Sequence, residues 1–174
     1  MKKQLEEMDN YMQRWLSQAT ELTDIEFHWS KDQDSWSIQQ VLMHVVKIQQ
    51  ISVDALQKAY AKHSELKNTE IKNTISSAIL KFALRSGKKF KAPQIAAHID
   101  NHVSLATVRQ QWENANQALN QFVEAYPIEN KNKLIFKHPF VGWLSLEQAL
   151  DFLLEHLKHH RKQIESLYSQ LKSK

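Results

Sequence analysis

The sequence predicts an all-α fold, a four-helix bundle with one short extra helix. Only two glycines and three prolines occur in 174 residues. Gly87, Gly142, Pro93, Pro127 and Pro139 all fall between long periodic segments and none falls inside one, which is how a bundle is punctuated. Within those segments apolar residues recur at the 3.6-residue helical period, and no internal repeat, strand alternation or low-complexity tract interrupts them.

The first helix is expected over about residues 2–22, with Leu5, Met8, Met12, Trp15, Leu16 and Ala19 on one face. The stretch "TDIEFHWSKDQDSW" reads as a connector. Ser37 then opens the second helix as N-cap, and Gln40, three residues on, completes a capping box. Its stripe runs Ile38, Val41, Leu42, Val45, Ile48, Ser52, Ala55, Leu56, Ala59. A third, shorter helix is expected in "TEIKNTISSAILKFALRS" (69–86), stopped by Gly87. "KKFKAPQIAAHIDNHV" reads as loop, because Pro93 disfavours helix before it. Ser104 caps the next helix, which carries Leu105, Val108, Trp112, Ala115, Leu119 and Phe122 to about Ala125, where Pro127 closes it. After an irregular "IENKNKLIFKHPFVGW", Ser145 starts the last helix, and Gln148 completes a second capping box.

Hydrophobic residues make up 42% of the chain. That suits one domain, 1–174, burying about 70% of its unfolded surface without staples. The absence of cysteine excludes disulfides and thiolate ligands, so any transition-metal site must use nitrogen and oxygen donors. The start, "MKKQLEEMDNYMQRWL", has no continuous apolar run and reads as neither signal peptide nor membrane span; a cytoplasmic location is expected. Net charge is +4, yet the basic residues are mostly interleaved with acids. Local basic runs occur at "RSGKKFK" (85–91) and "LKHHRK" (157–162), without the continuous stripe a nucleic-acid binder needs, so nucleic acid is not an expected partner. Lys88, Lys89 and Lys91 read as a solvated loop; beside a cleft they would attract an anionic substrate.

The histidines of "LLEHLKHHRKQI" (153–164) are not equivalent. With Leu146 at zero and 100° per residue, Ala149, Leu150, Leu153, Leu157, Ile164, Leu167 and Leu171 fall within about 60° of the reference line. His160 lies at about −40°, inside that sector, and His156 at about −80°, at its edge. His159 lies near −140°, toward Glu155, Lys158 and Lys162. His156 and His160 are therefore stacked one turn apart facing inward, a spacing that lets two imidazoles share a metal. The metalloprotease pattern H-E-x-x-H is excluded, because Leu157 occupies the glutamate slot. A third ligand is needed, and His44, on the flank of the second helix's stripe, is a candidate. A competing pair, His98 and His102, also lies at i,i+4 but in the segment read as loop. His138 precedes the last helix and is placed to line a cleft mouth; His28, His63 and His159 read as surface residues. No general base stands out: Glu155 and Asp151 fall on the polar face of the last helix, and Glu147 is no better placed.

These residues resemble a family. "WSIQQVLMHVV" (36–46), "KFKAPQ" (89–94) and "HPFVGWLSLEQALDFLLEHLKHHRKQI" (138–164) are similar, in order and over nearly the whole chain, to the signatures of the DinB/YfiT-like superfamily of metal-dependent proteins. The resemblance implies an up-down-down-up four-helix bundle with a long crossover, frequently dimeric. It also implies a divalent ion, nickel or zinc, held by one histidine on the second helix and two on the last. Here those positions are His44, His156 and His160. Family relatives include thiol-dependent transferases, isomerases and hydrolases, so the expected partner is a small-molecule substrate or a low-molecular-weight thiol. A non-catalytic metal-binding or stress-response bundle is the alternative expectation.

Overall fold

The computed structural model describes residues 1–62, 66–86, 99–100 and 102–172. Its elements in chain order are α1 (Lys2–Ala19), α2 (Asp24–Phe27), α3 (Ile38–Tyr60), α4 (Ile71–Arg85) and α5 (Leu105–Ala125). A single 3-10 turn (Ile128–Asn130), strands β1 (Leu134–His138) and β2 (Gly142–Ser145), and α6 (Leu146–Lys172) follow. α1 packs on α5 and α6, and α3 packs on the same two helices, so their apolar stripes meet in one cluster. The α1 stripe is buried as the period requires, from Leu5 through Ala19. Trp112 of α5 is fully buried, and its indole N–H donates to Asp9 Oδ1 of α1 at 3.0 Å.

Both expected capping boxes are present. Ser37 Oγ accepts from the Gln40 amide while Gln40 Oε1 accepts from the Ser37 amide at 2.9 Å. The same exchange between Ser145 and Gln148 fixes the start of α6. These two caps set the register of the two helices that carry the candidate site.

Three expectations are corrected. The connector after α1, which stops at Ala19, contains a helical turn, α2, opened by a Thr23–Glu26 capping box of the same type. The stretch expected to be irregular forms an antiparallel hairpin, β1 with β2. It escapes an alternation test because a register irregularity between Leu134 and Phe136 leaves Leu134, Ile135 and Phe136 all buried. Gly142, at φ 79°, supplies the left-handed residue beside the turn. The third correction concerns α4. It packs along the back of α6, so the face of α6 that the helical wheel marks as polar is covered. The Gly87 stop lies outside the described residues, where most of the segment read as loop also falls. Among the described residues, no helix is long and apolar enough to cross a membrane.

Candidate metal centre

His44 lies in the second turn of α3, and His156 and His160 lie one turn apart in the middle of α6. The α3–α6 contact brings the three rings together. His156 Nε2 stands 3.2 Å from His44 Nε2 and 3.3 Å from His160 Nε2. One ligand atom from each residue lies within 4.8 Å of the others. Nitrogen donors held tetrahedrally at about 2.0–2.1 Å from a zinc-sized ion lie roughly 3.3 Å apart, so the donor spacing fits a shared cation. Among the described residues this is the one group of three histidines, cysteines or carboxylates that could hold a metal ion.

The protonation states fit as well. His160 Nδ1–H donates to Gln163 Oε1 at 2.9 Å, which leaves the lone pair on Nε2 facing its neighbours. Burial, followed by repulsion from His44, pushes the His160 pKa down to about 3. Burial, with His160 and His44 adding to it, holds His156 well below the ordinary imidazole value. Both rings are therefore neutral near pH 7, the form in which imidazole binds metal. His44 and His160 are buried, and His156 is partly exposed. Trp36, next to the α3 cap, covers the cluster: its ring centroid lies 4.9 Å from that of His44 and 6.4 Å from His160, the latter stacked at 18°. Phe152 closes another side, 5.8 Å from the His156 ring.

The acids near the site are occupied. Glu155 and Asp151, read from the wheel as a polar face, are covered by α4. Arg85 grips Glu155 with two bonds of 2.7 Å, and that partnership holds the buried carboxyl below the usual carboxylate range. Lys81 holds Asp151 at 3.0 Å, on which Gln4 also converges. His159 is not a free surface residue either: Nδ1–H donates to the Leu84 carbonyl at 2.9 Å. The remaining histidines stay apart. His138 ends β1, is buried with its ring 4.6 Å edge-on to Phe152, and accepts from the Phe140 amide. His28 is partly buried, with ring nitrogens 2.9 Å from the Asp24 carbonyl and 3.3 Å from that of Val103. His102 is exposed, its ring 5.6 Å from that of His28 and tilted 37° to it. His98, His63, Lys88, Lys89 and Lys91 lie outside the described residues.

Sequence reasoning missed the supporting groups. Gln163 sits three residues after His160, a spacing that puts it on the same helical face and marks it as an orienting partner. Trp36 carried no such signal, because nothing in its spacing says which helix it will cover.

A helical fold with two long helices converging three imidazoles defines the chain as a helical protein with a candidate three-histidine metal site. It belongs to the DinB superfamily, whose family model matches residues 4–164. The chain is also similar to the uncharacterized protein YuaE of Bacillus subtilis (strain 168), 23% identical over 146 residues, which cover 84% of this chain and 85% of that one. No solved structure matches significantly.

Proposed function

We propose that the chain is a metal-dependent enzyme, a hydrolase or thiol-dependent transferase, built as one up-down-down-up four-helix bundle with a nickel or zinc ion on His44, His156 and His160. The convergence of the three Nε2 atoms at metal-ligand spacing carries this reading. A divalent ion held by three neutral imidazoles supplies Lewis acidity at the remaining coordination positions, toward water, a carbonyl or a thiol. The chain's own groups hold and shield that centre. Gln163 fixes the His160 ring, Trp36 and Phe152 exclude bulk water, and the partly exposed side of His156 is where a small substrate or thiol approaches. The protein acts in the cytoplasm on such a molecule, without nucleic acid or membrane as partner.

A second reading draws on Glu155 and Asp151 being tied to Arg85 and Lys81. With no free carboxylate beside the cluster among the described residues, the ion would serve as a non-catalytic strut joining α3 to α6. The two readings separate experimentally. Protein purified without a histidine tag is expected to carry about one divalent ion per chain, with the content lost in His156→Ala and His160→Ala. Equal metal in all three proteins removes both readings. Chelation that abolishes turnover of thiol or ester substrates with a small change in melting temperature supports the enzyme; a large change with no turnover supports the strut.

A further inference from the structure

His138 stands outside the ligand cluster but only one ring away from it. Phe152 precedes His156 by about one turn of α6, and its ring lies 5.8 Å from that of His156 and 4.6 Å from that of His138. These contacts set Phe152 between the end of β1 and the partly exposed member of the histidine cluster. A charge on His138 would repel one on His156, so the two imidazoles are also electrostatic neighbours.

Local sequence fixes how the His138 ring is presented. Pro139 disfavours helix at the residue before it and keeps His138 extended at the end of β1, paired with Gly142. The chain then turns back, and the Phe140 amide donates to His138 Nδ1 at 3.3 Å. An accepting Nδ1 leaves the one proton of a neutral imidazole on Nε2. Burial, which takes the pKa down to about 4, keeps the ring neutral near pH 7. The residue is only 5% exposed, yet this N–H has no acceptor among the described residues. Nor is Nε2 one of the polar atoms sealed inside the fold without a partner, so it reaches solvent-accessible space. A buried donor that the fold itself leaves unpaired is set for a group that arrives from outside.

We infer that the Nε2–H of His138 donates a hydrogen bond to the substrate, which carries a carbonyl or carboxylate oxygen a short apolar stretch away from its metal-binding group. This rests on the metal-dependent reading above and names the class of molecule it acts on. The metal-binding group sits at the histidine centre, the apolar stretch crosses the Phe152 ring, and the oxygen meets His138. The ~5.4 Å rise of the helical turn between Phe152 and His156 corresponds to a link of about three carbons. A neutral imidazole suits that position, because it stabilises charge on oxygen without setting a second cation beside the ion. His138 is thereby a specificity-determining residue.

Cobalt-loaded protein tests this, because thiolate binding to cobalt(II) gives a charge-transfer absorption that reads affinity without turnover. β-Mercaptopropionate offers a thiol and a carboxylate; propanethiol, of similar length, offers the thiol alone. The wild type is expected to bind mercaptopropionate about tenfold more tightly. His138→Phe is expected to erase that preference while cobalt content and propanethiol affinity stay unchanged. His138→Gln, whose amide places an N–H near the position of Nε2, is expected to restore part of it. Nitrogen NMR of the zinc-loaded wild type reads the same contact without a substitution: the His138 Nε2–H resonance shifts with mercaptopropionate and not with propanethiol. Cobalt and thiol uptake with equal affinity for the two ligands overturns the inference alone. So does a preference that survives in His138→Phe, or an unmoved resonance, the outcome if the N–H only packs against Phe152. A chain that takes up no cobalt overturns the metal-dependent reading and the inference with it.

Discussion

At the scale of single residues, the candidate centre depends on groups that orient or shelter the three imidazoles. Gln163 is the clearest of these, because its carbonyl oxygen selects the His160 tautomer that presents Nε2. Gln163→Ala is expected to weaken metal binding about 10–100-fold while leaving the helix intact, read by competition with a chromophoric chelator. Unchanged affinity would show that the ring is held by packing alone. His138 tests burial separately from metal. Burial lowers its pKa from 6.5 to about 4, so the unfolded chain binds its proton first. Its contribution is complete above pH 6.5 and declines as pH falls toward 4. The stability lost on acidification across that window is expected to be smaller in His138→Gln by about 2–3 kcal/mol, measured by denaturant titration. Identical pH profiles would rule out a buried, neutral His138.

Between elements, the α4–α6 contact rests on polar partners in a buried place. Glu155 is 4% exposed, and its carboxylate depends on Arg85. Arg85→Ala strands that charge and is expected to cost about 1–2 kcal/mol, less than the loss for a wholly buried pair because Arg85 is itself more than half exposed. Combining it with Glu155→Leu should recover most of the loss, since removing both charges removes the desolvation penalty too. A double variant less stable than Arg85→Ala would contradict that account. At the α3 start, Ser37→Ala removes the acceptor for the Gln40 amide and should cost about 1 kcal/mol of thermal stability.

For the whole molecule, the ion would join two helices far apart in sequence, His44 being separated from His156 by 112 positions. Binding to the folded chain alone stabilises it by about 2.7 kcal/mol at a hundredfold excess over Kd. In a protein of this size that corresponds to a rise of roughly 5–10 °C in Tm. Scanning calorimetry of chelator-treated protein with and without added zinc or nickel reads the effect directly. His44→Ala should abolish the rise along with the His156 and His160 substitutions, and a rise that survives in His44→Ala would place the ion elsewhere.

Much of this protein was legible in its sequence because its helices are long and amphipathic. Period identified the α1 stripe and the inward direction of His156 and His160, and the Ser-x-x-Gln spacing the two capping boxes, since these depend on neighbours a turn or less away. The same reasoning misjudged Glu155, Asp151 and His159, because a helical wheel knows the helix but not what lies behind it. It also read the hairpin as irregular, since three consecutive buried residues mask the alternation of β1. The meeting of His44 with the α6 pair, Trp36 above them, and the cover that α4 places over Glu155 and Asp151 were settled by packing between distant segments. Direction along a helix is a local property of the backbone; convergence and exposure depend on where separate helices come to rest.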